Sequence, residues 1–155
     1  MRPPRILVAA LGTDLRGDDG VGPAVARSLP PEVTRLAEVA IVADATDLLT
    51  SWDGADLVVV ADAVASGDRP GSVRVFDLGG AFAPPSTGVT THTLSLLDAL
   101  RLSRVLGRGP RRLVVVGVEA AGFDPGAGLS GPVAAAVPAA AAEVADVIRR
   151  ALPCA

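Results

Sequence analysis

Near-continuous apolar runs alternate along this chain with stretches whose apolar residues recur at helical spacing. Residues 5–11 (RILVAAL), 56–64 (DLVVVADAV) and 111–119 (RRLVVVGVE) are rich in aliphatic and β-branched side chains. Such runs read as strands buried on both faces. Residues 35–42 (RLAEVAIV) and 72–78 (SVRVFDL) are less uniformly apolar and suit strands nearer an edge. Helical patterns fall at 21–29, 45–52 (short), 91–106 and 131–152; the third places Leu94, Leu97, Leu100 and, slightly out of phase, Val105 on one face. The order predicts a three-layer α/β/α sandwich around a mostly parallel five-stranded sheet with one antiparallel element. SGDRPGS (66–72) reads as the turn of a hairpin between the third and fourth strands, which would supply that element. With no repeat and no linker, residues 1–155 are expected to form one domain.

In open sheets of this kind, ligands bind beyond the carboxyl ends of the strands. That rule gathers three segments on one rim: the loop after the first strand, Asp62 at the end of VVVAD, and the segment after VVVGVE. The first is LGTDLRGDDGVG, Leu11 to Gly22, with four glycines and three aspartates in twelve residues. A glycine-rich turn after a first strand commonly cradles phosphate, but carboxylates repel phosphate and attract metal ions. Helix capping by Asp18 or Asp19 is the simpler use of such acids.

Composition removes many chemistries. Half the residues are apolar and a fifth charged, as in globular proteins. The net charge of −3 offers no basic footprint for nucleic acid. All 14 basic residues are arginine, so a P-loop lysine and Schiff-base chemistry are excluded. The glycines at 12, 17, 20 and 22 do not fit G-x-G-x-x-G. Cys154, the one cysteine, allows no intrachain disulfide or CxxC site and stands too close to the C-terminus to be held as a nucleophile. The apolar N-terminal run is broken at Asp14 and reads as a strand, not a signal peptide. The alanine-rich segment near the C-terminus approaches the roughly 18 apolar residues of a membrane helix, but Pro138, Glu143 and Asp146 interrupt it. A cytoplasmic location is expected.

His92 is the sole histidine, so multi-histidine zinc sites are excluded. Ser130 lies in GLSGP, where Pro132 stands in place of the last glycine of a nucleophile elbow. What remains for polar chemistry is a set of aspartates, one imidazole and Glu119, which ends the fifth run and belongs to the site or to solvent. Asp14 is assigned no role beyond a turn. Asp62 ends a buried strand, a poor place for a carboxylate without a partner or a task. Asp19, Asp62 and His92 follow three different elements that the fold brings to one rim. Two carboxylates and an imidazole make an incomplete ligand set for a divalent transition metal, with positions left open.

These same stretches resemble the hydrogenase maturation proteases, nickel-dependent endopeptidases of the [NiFe]-hydrogenase pathway. ALGTDLRGDDGVG (10–22) is similar to that family's GxGNxLxxD[DE]GxG. VVVADAVASGDRPGSV (58–73) is similar to its strand ending in [VA]DAV before a Pro-Gly turn. TTHTLSLLDAL (90–100) resembles its S-x-H-x-x-x-L segment, and VVVGVEAAGFDPGAGLSGPVAAAVP (114–138) its GV-P…GLS-x-x-V stretch. The matches span nearly the whole chain in order.

The resemblance implies an endopeptidase that removes a C-terminal peptide from the [NiFe]-hydrogenase large-subunit precursor after nickel insertion. It carries the roles of nickel contact and catalysis to Asp19, Asp62 and His92. The nickel would then arrive with the substrate, held by its thiolates, and the protease would complete an existing coordination sphere; the free protein could also hold another divalent metal. Neither nucleic acid nor membrane is an expected partner, and a monomer is the simplest state. The chain departs from the family pattern at Ala10 and Thr13, where glycine and asparagine are usual, and at Thr91 before the histidine; Asp19 stands where glutamate is also used. Two other readings use the same scaffold: a noncatalytic checkpoint that binds the nickel-bearing subunit, and a nucleotide-binding or other metal-dependent hydrolase.

Overall fold

Five strands form one twisted layer in the order β2-β1-β3-β5-β4, with helices on both faces. The computed structural model describes residues 2–78 and 91–153, with the backbone alone for 91–95. The strands are β1 (Ile6–Leu11), β2 (Glu38–Val42), β3 (Leu57–Val64), β4 (Val73–Asp77) and β5 (Leu113–Glu119). The helices are α1 (Val21–Arg27), α2 (Pro31–Leu36), α3 (Leu48–Ser51), α4 (Thr91–Val105) and α5 (Gly131–Ala151). Short 3-10 turns at Gly17–Gly20 and Ala45–Asp47 lead into α1 and α3.

The uniformly apolar runs are the three inner strands, every residue of which is buried. The mixed runs β2 and β4 lie at the edges, half-exposed. Alternation along each inner strand divides its side chains between two cores. Ile6, Val8, Leu57, Val59, Ala61, Val114 and Val116 meet α1 and α5 through Val21, Val25, Val137, Val144 and Ile148. Leu7, Leu11, Val58, Val60, Leu113 and Val115 meet the other layer through Leu48, Trp52, Leu96 and Leu100. Each fully buried Val or Leu contributes about 1.5–3 kcal/mol relative to exposure. The Trp52 indole N–H donates to Ser103 Oγ at 2.9 Å and ties α4 to the end of α3 inside that second core.

The expected hairpin is not formed. β1, β2, β3 and β5 are parallel, and among the described strands the antiparallel pair is β4 with β5, not β4 with β3. β5 inserts between them because a strand apolar on both faces is satisfied only inside the sheet, whereas half-polar β4 tolerates an edge. The 66–72 segment is therefore a rim crossing over the end of β5. It is held there by the Glu119 carboxylate, which accepts from Ser66 N at 2.8 Å, Gly67 N at 2.9 Å and Ser66 Oγ at 2.8 Å. Glu119 is thus not solvated; it is buried and holds a turn.

Helix α2 was not expected, and residues 35–36 belong to it rather than to a strand. Pro31 presets the first turn, but Val33 is its one buried residue, too little to show a period. The buried face of α4 carries Leu96, Leu97, Leu100 and Ser103, while Val105 is exposed; the Leu94 side chain and Cys154 lie outside what the structure describes. By length and mean hydropathy α5 is apolar enough to cross a membrane despite Pro138, Glu143 and Asp146. Its stripe from Val133 to Ile148 is packed on the sheet instead.

Candidate active site

At the carboxyl end of the sheet, β1 stops at Leu11 while β3 continues for two residues past Asp62. Ala10 pairs with Ala61, so Asp62 stands at the level where its neighbour has just finished. Asp62 lies inside β3, opposite Gly117 of β5, rather than at the strand's last residue. It shares the parity of Val58 and Val60 and so faces the α3/α4 layer, with 2% of its surface exposed.

After Leu11 the chain turns at Gly12, whose amide donates to Val42 O at 3.1 Å. Gly12 has φ +122°, and a Cβ there would stand 2.0 Å from the carbonyl oxygen of Asp19. This glycine is required twice over, by its conformation and by the return of the loop across it. The Asp19 carboxylate, buried like Asp62, takes the Thr13 amide at 3.0 Å. Thr13 Oγ1 in turn accepts from Leu15 N at 3.2 Å, so the threonine found at the asparagine position still organises the loop. Gly22 seats α1 directly on the sheet: a Cβ there would meet Leu11 O at 2.3 Å and Ala61 O at 2.7 Å. Asp19 thus lies in the loop that follows β1 and Asp62 two residues before the end of adjacent β3, and neither is without a partner.

Helix α4 leads into β5 through the short 106–112 connection, so it runs antiparallel to that strand and begins at the carboxyl rim. His92 belongs to its first turn; the imidazole lies outside the described residues. Among the described residues, no three His, Cys, Asp or Glu side chains are grouped to hold a metal ion. The backbone framework brings the elements carrying Asp19, Asp62 and His92 to one rim, and two carboxylates there can supply oxygen ligands.

Neither Asp18 nor Asp19 caps α1, whose N-cap is Gly20. Asp18 turns the other way and is 1% exposed. Its Oδ2 accepts from Ala121 N at 2.7 Å, Gly122 N at 3.2 Å and Ser130 Oγ at 2.9 Å, and its Oδ1 from Ser130 N at 2.7 Å. Burial pushes this carboxyl up, but the donors from Ser130, Ala121 and Gly122 outweigh it and hold it below the ordinary aspartate range. The contact joins residues more than a hundred positions apart, and local sequence carried no sign of it beyond the serine of GLS. A cleft of about 270 Å³ opens beside it, between Gly17–Asp18 and the 121–130 loop. Asp14 is a surface residue paired with Arg27 at 3.0 Å.

A family model described as hydrogenase maturation protease matches residues 29–147. The hydrogenase 2 maturation protease of Escherichia coli K12 is 28% identical over 149 residues, covering 94% of this chain and 91% of the relative. The solved hydrogenase maturating endopeptidase HybD from E. coli superposes with a TM-score of 0.79 at 27% identity, covering 94% of this chain and 93% of the other. The [NiFe] hydrogenase maturation protease HybD from Thermococcus kodakarensis superposes with a TM-score of 0.76 at 26% identity, covering 93% and 99%.

Proposed function

Because the chain belongs to the hydrogenase maturation protease family and is an endopeptidase of hydrogenase maturation, we propose that it trims a [NiFe]-hydrogenase large-subunit precursor. In this reading it removes a C-terminal peptide after nickel insertion and reads the nickel through Asp19, Asp62 and His92. The observation that carries the reading is Asp62: a carboxylate 2% exposed inside the central strand β3, whose other residues are all apolar. Burying such a group costs several kcal/mol and has to be compensated, and this one stands at the carboxyl rim, where open sheets of this kind bind their ligands. Asp19 on the adjacent loop supplies a second oxygen donor set, and the first turn of α4 carries the imidazole.

The nickel is part of the substrate and arrives already held by it. Two carboxylates and one imidazole then need only fill open positions, which suits a site too sparse to capture free metal. A cation so placed polarises a nearby scissile carbonyl or lowers the pKa of a bound water. We place the enzyme in the cytoplasm and read it as a monomer; the single cysteine, which leaves no intrachain disulfide, is compatible with the first of these.

The test is the intact mass of a nickel-loaded large-subunit precursor from the same genome before and after incubation. Loss of one discrete C-terminal peptide is expected, and no loss with nickel-free precursor or with His92→Ala. Processing at the wild-type rate by His92→Ala would refute the three-residue site. An unchanged mass with competent precursor would refute proteolysis and favour a checkpoint that binds without cutting.

A further inference from the structure

The two neighbouring aspartates of the opening loop are buried for different reasons. Asp19 faces the β1/β3 rim, whereas Asp18 receives four hydrogen bonds from three residues of the loop between β5 and α5. The backbones on either side are laced to the same loop. Gly17 N donates to Ala127 O at 3.0 Å, Asp18 N to Gly122 O at 3.0 Å, and Gly126 N to Leu15 O at 2.9 Å. Arg16 and Pro125 form an isolated antiparallel bridge in the middle of these contacts. Ser130, the donor of two of the four bonds, is also the N-cap residue of α5.

We infer that Asp18 is a positioning residue for the proteolytic site: its carboxylate locks the opening loop against the 121–130 loop and thereby sets where Asp19 stands. The inference rests on the reading of Asp19 as a site residue. Asp18 cannot touch a protein substrate, being 1% exposed beneath the loop. Its neighbourhood offers three N–H donors and one O–H donor and therefore demands an acceptor-only group. Asparagine is nearly isosteric but turns an NH2 toward donors, so it breaks part of the lock without removing volume. The opening loop stays attached through Gly12 and Gly22, but the wall facing the cleft is released. An error of about 1 Å in a reacting group is enough to cost on the order of 100-fold in rate.

The experiment compares steady-state processing of nickel-loaded precursor by wild type, Asp18→Asn, Ser130→Ala, Asp19→Asn and Ser103→Ala. Circular dichroism establishes that each is folded at the assay temperature, and rates are expressed per folded molecule. Asp18→Asn is expected to lower kcat about 10-fold or more, with KM changed less than about threefold, since the lesion moves a catalytic group rather than a docking surface. Ser130→Ala keeps the backbone donors and loses only the hydroxyl, so a smaller fall in kcat is expected; it carries the test if Asp18→Asn does not fold. Ser103→Ala removes a buried hydrogen bond in the other core and serves as the stability control, with wild-type turnover expected. Hydrogen exchange should quicken at 12–20 and 120–130 in Asp18→Asn, with β1, β3 and β5 unchanged.

Wild-type kcat in folded Asp18→Asn, or a loss no greater than in Ser103→Ala at matched melting temperature, overturns the inference. If Asp19→Asn itself processes normally, the site reading is wrong and the inference falls with it. If Asp19→Asn is dead while Asp18→Asn and Ser130→Ala are normal, the site stands and the positioning role alone is refuted.

Discussion

Replacing Gly12 by alanine should damage stability and activity together, and the geometry sets both magnitudes. The new Cβ would lie 2.0 Å from Asp19 O, where real contacts do not fall below 3.0 Å, so the Asp19 carbonyl must retreat by about 1 Å. Alanine must also adopt φ +122°. The backbone strain costs about 1–3 kcal/mol and the forced displacement about as much again. For a chain of this length each kcal/mol lowers Tm by about 2–4 °C, so a fall of about 10 °C is expected. Gly54→Ala is the control: its φ is +74°, but nothing lies within 4 Å of the added Cβ. It should cost only the left-handed backbone term, about 1–2 kcal/mol. Thermal melts of both variants separate the contact from the conformation. Processing per folded Gly12→Ala enzyme should also fall on the order of 100-fold, because Asp19 moves with its carbonyl. Equal melting losses for the two variants, or a Gly12→Ala melt within about 2 °C of wild type, would show that the loop yields without cost and refute the reasoning.

Three further outcomes can be checked by unfolding measurements. Asp18, held below its ordinary value of 3.8, stabilises the fold fully above that value, and the contribution is lost as pH falls through the lower folded pKa. The stability difference between wild type and Asp18→Asn should therefore shrink as denaturation is carried below about pH 4; a constant difference would mean that the lock does not depend on the ionised carboxylate. Ser103→Ala strands the buried Trp52 indole N–H and should cost about 1–3 kcal/mol in urea unfolding, with Trp52 fluorescence as the probe. Pro138 is exposed within α5, so Pro138→Ala restores a backbone donor without touching the core; a gain of about 1–3 kcal/mol is expected, and a loss would show that the helix depends on the proline.

What the amino-acid order determined by itself was the inventory and its layering. Continuous aliphatic runs could only be inner strands, because β-branched side chains on both faces require cover on both faces, and the half-polar runs became the edges. The candidate rim acids were also visible, since a carboxylate in LVVVADAV or four glycines around three aspartates in one loop breaks the local pattern. The tertiary structure decided pairing and role. Periodicity records how deeply a residue is buried but not which strand lies beside it, so the hairpin expected from SGDRPGS gave way to an inserted β5. Asp18 and Asp19 are adjacent and chemically identical in sequence. Only the return of the 121–130 loop, more than a hundred residues later, gives one of them four donors and leaves the other facing the rim. Glu119 was likewise ambiguous until the 66–67 turn folded over it. A carboxylate's function follows from the donors around it, and those donors are backbone N–H groups that every residue but proline carries, so nothing in the local sequence marks them.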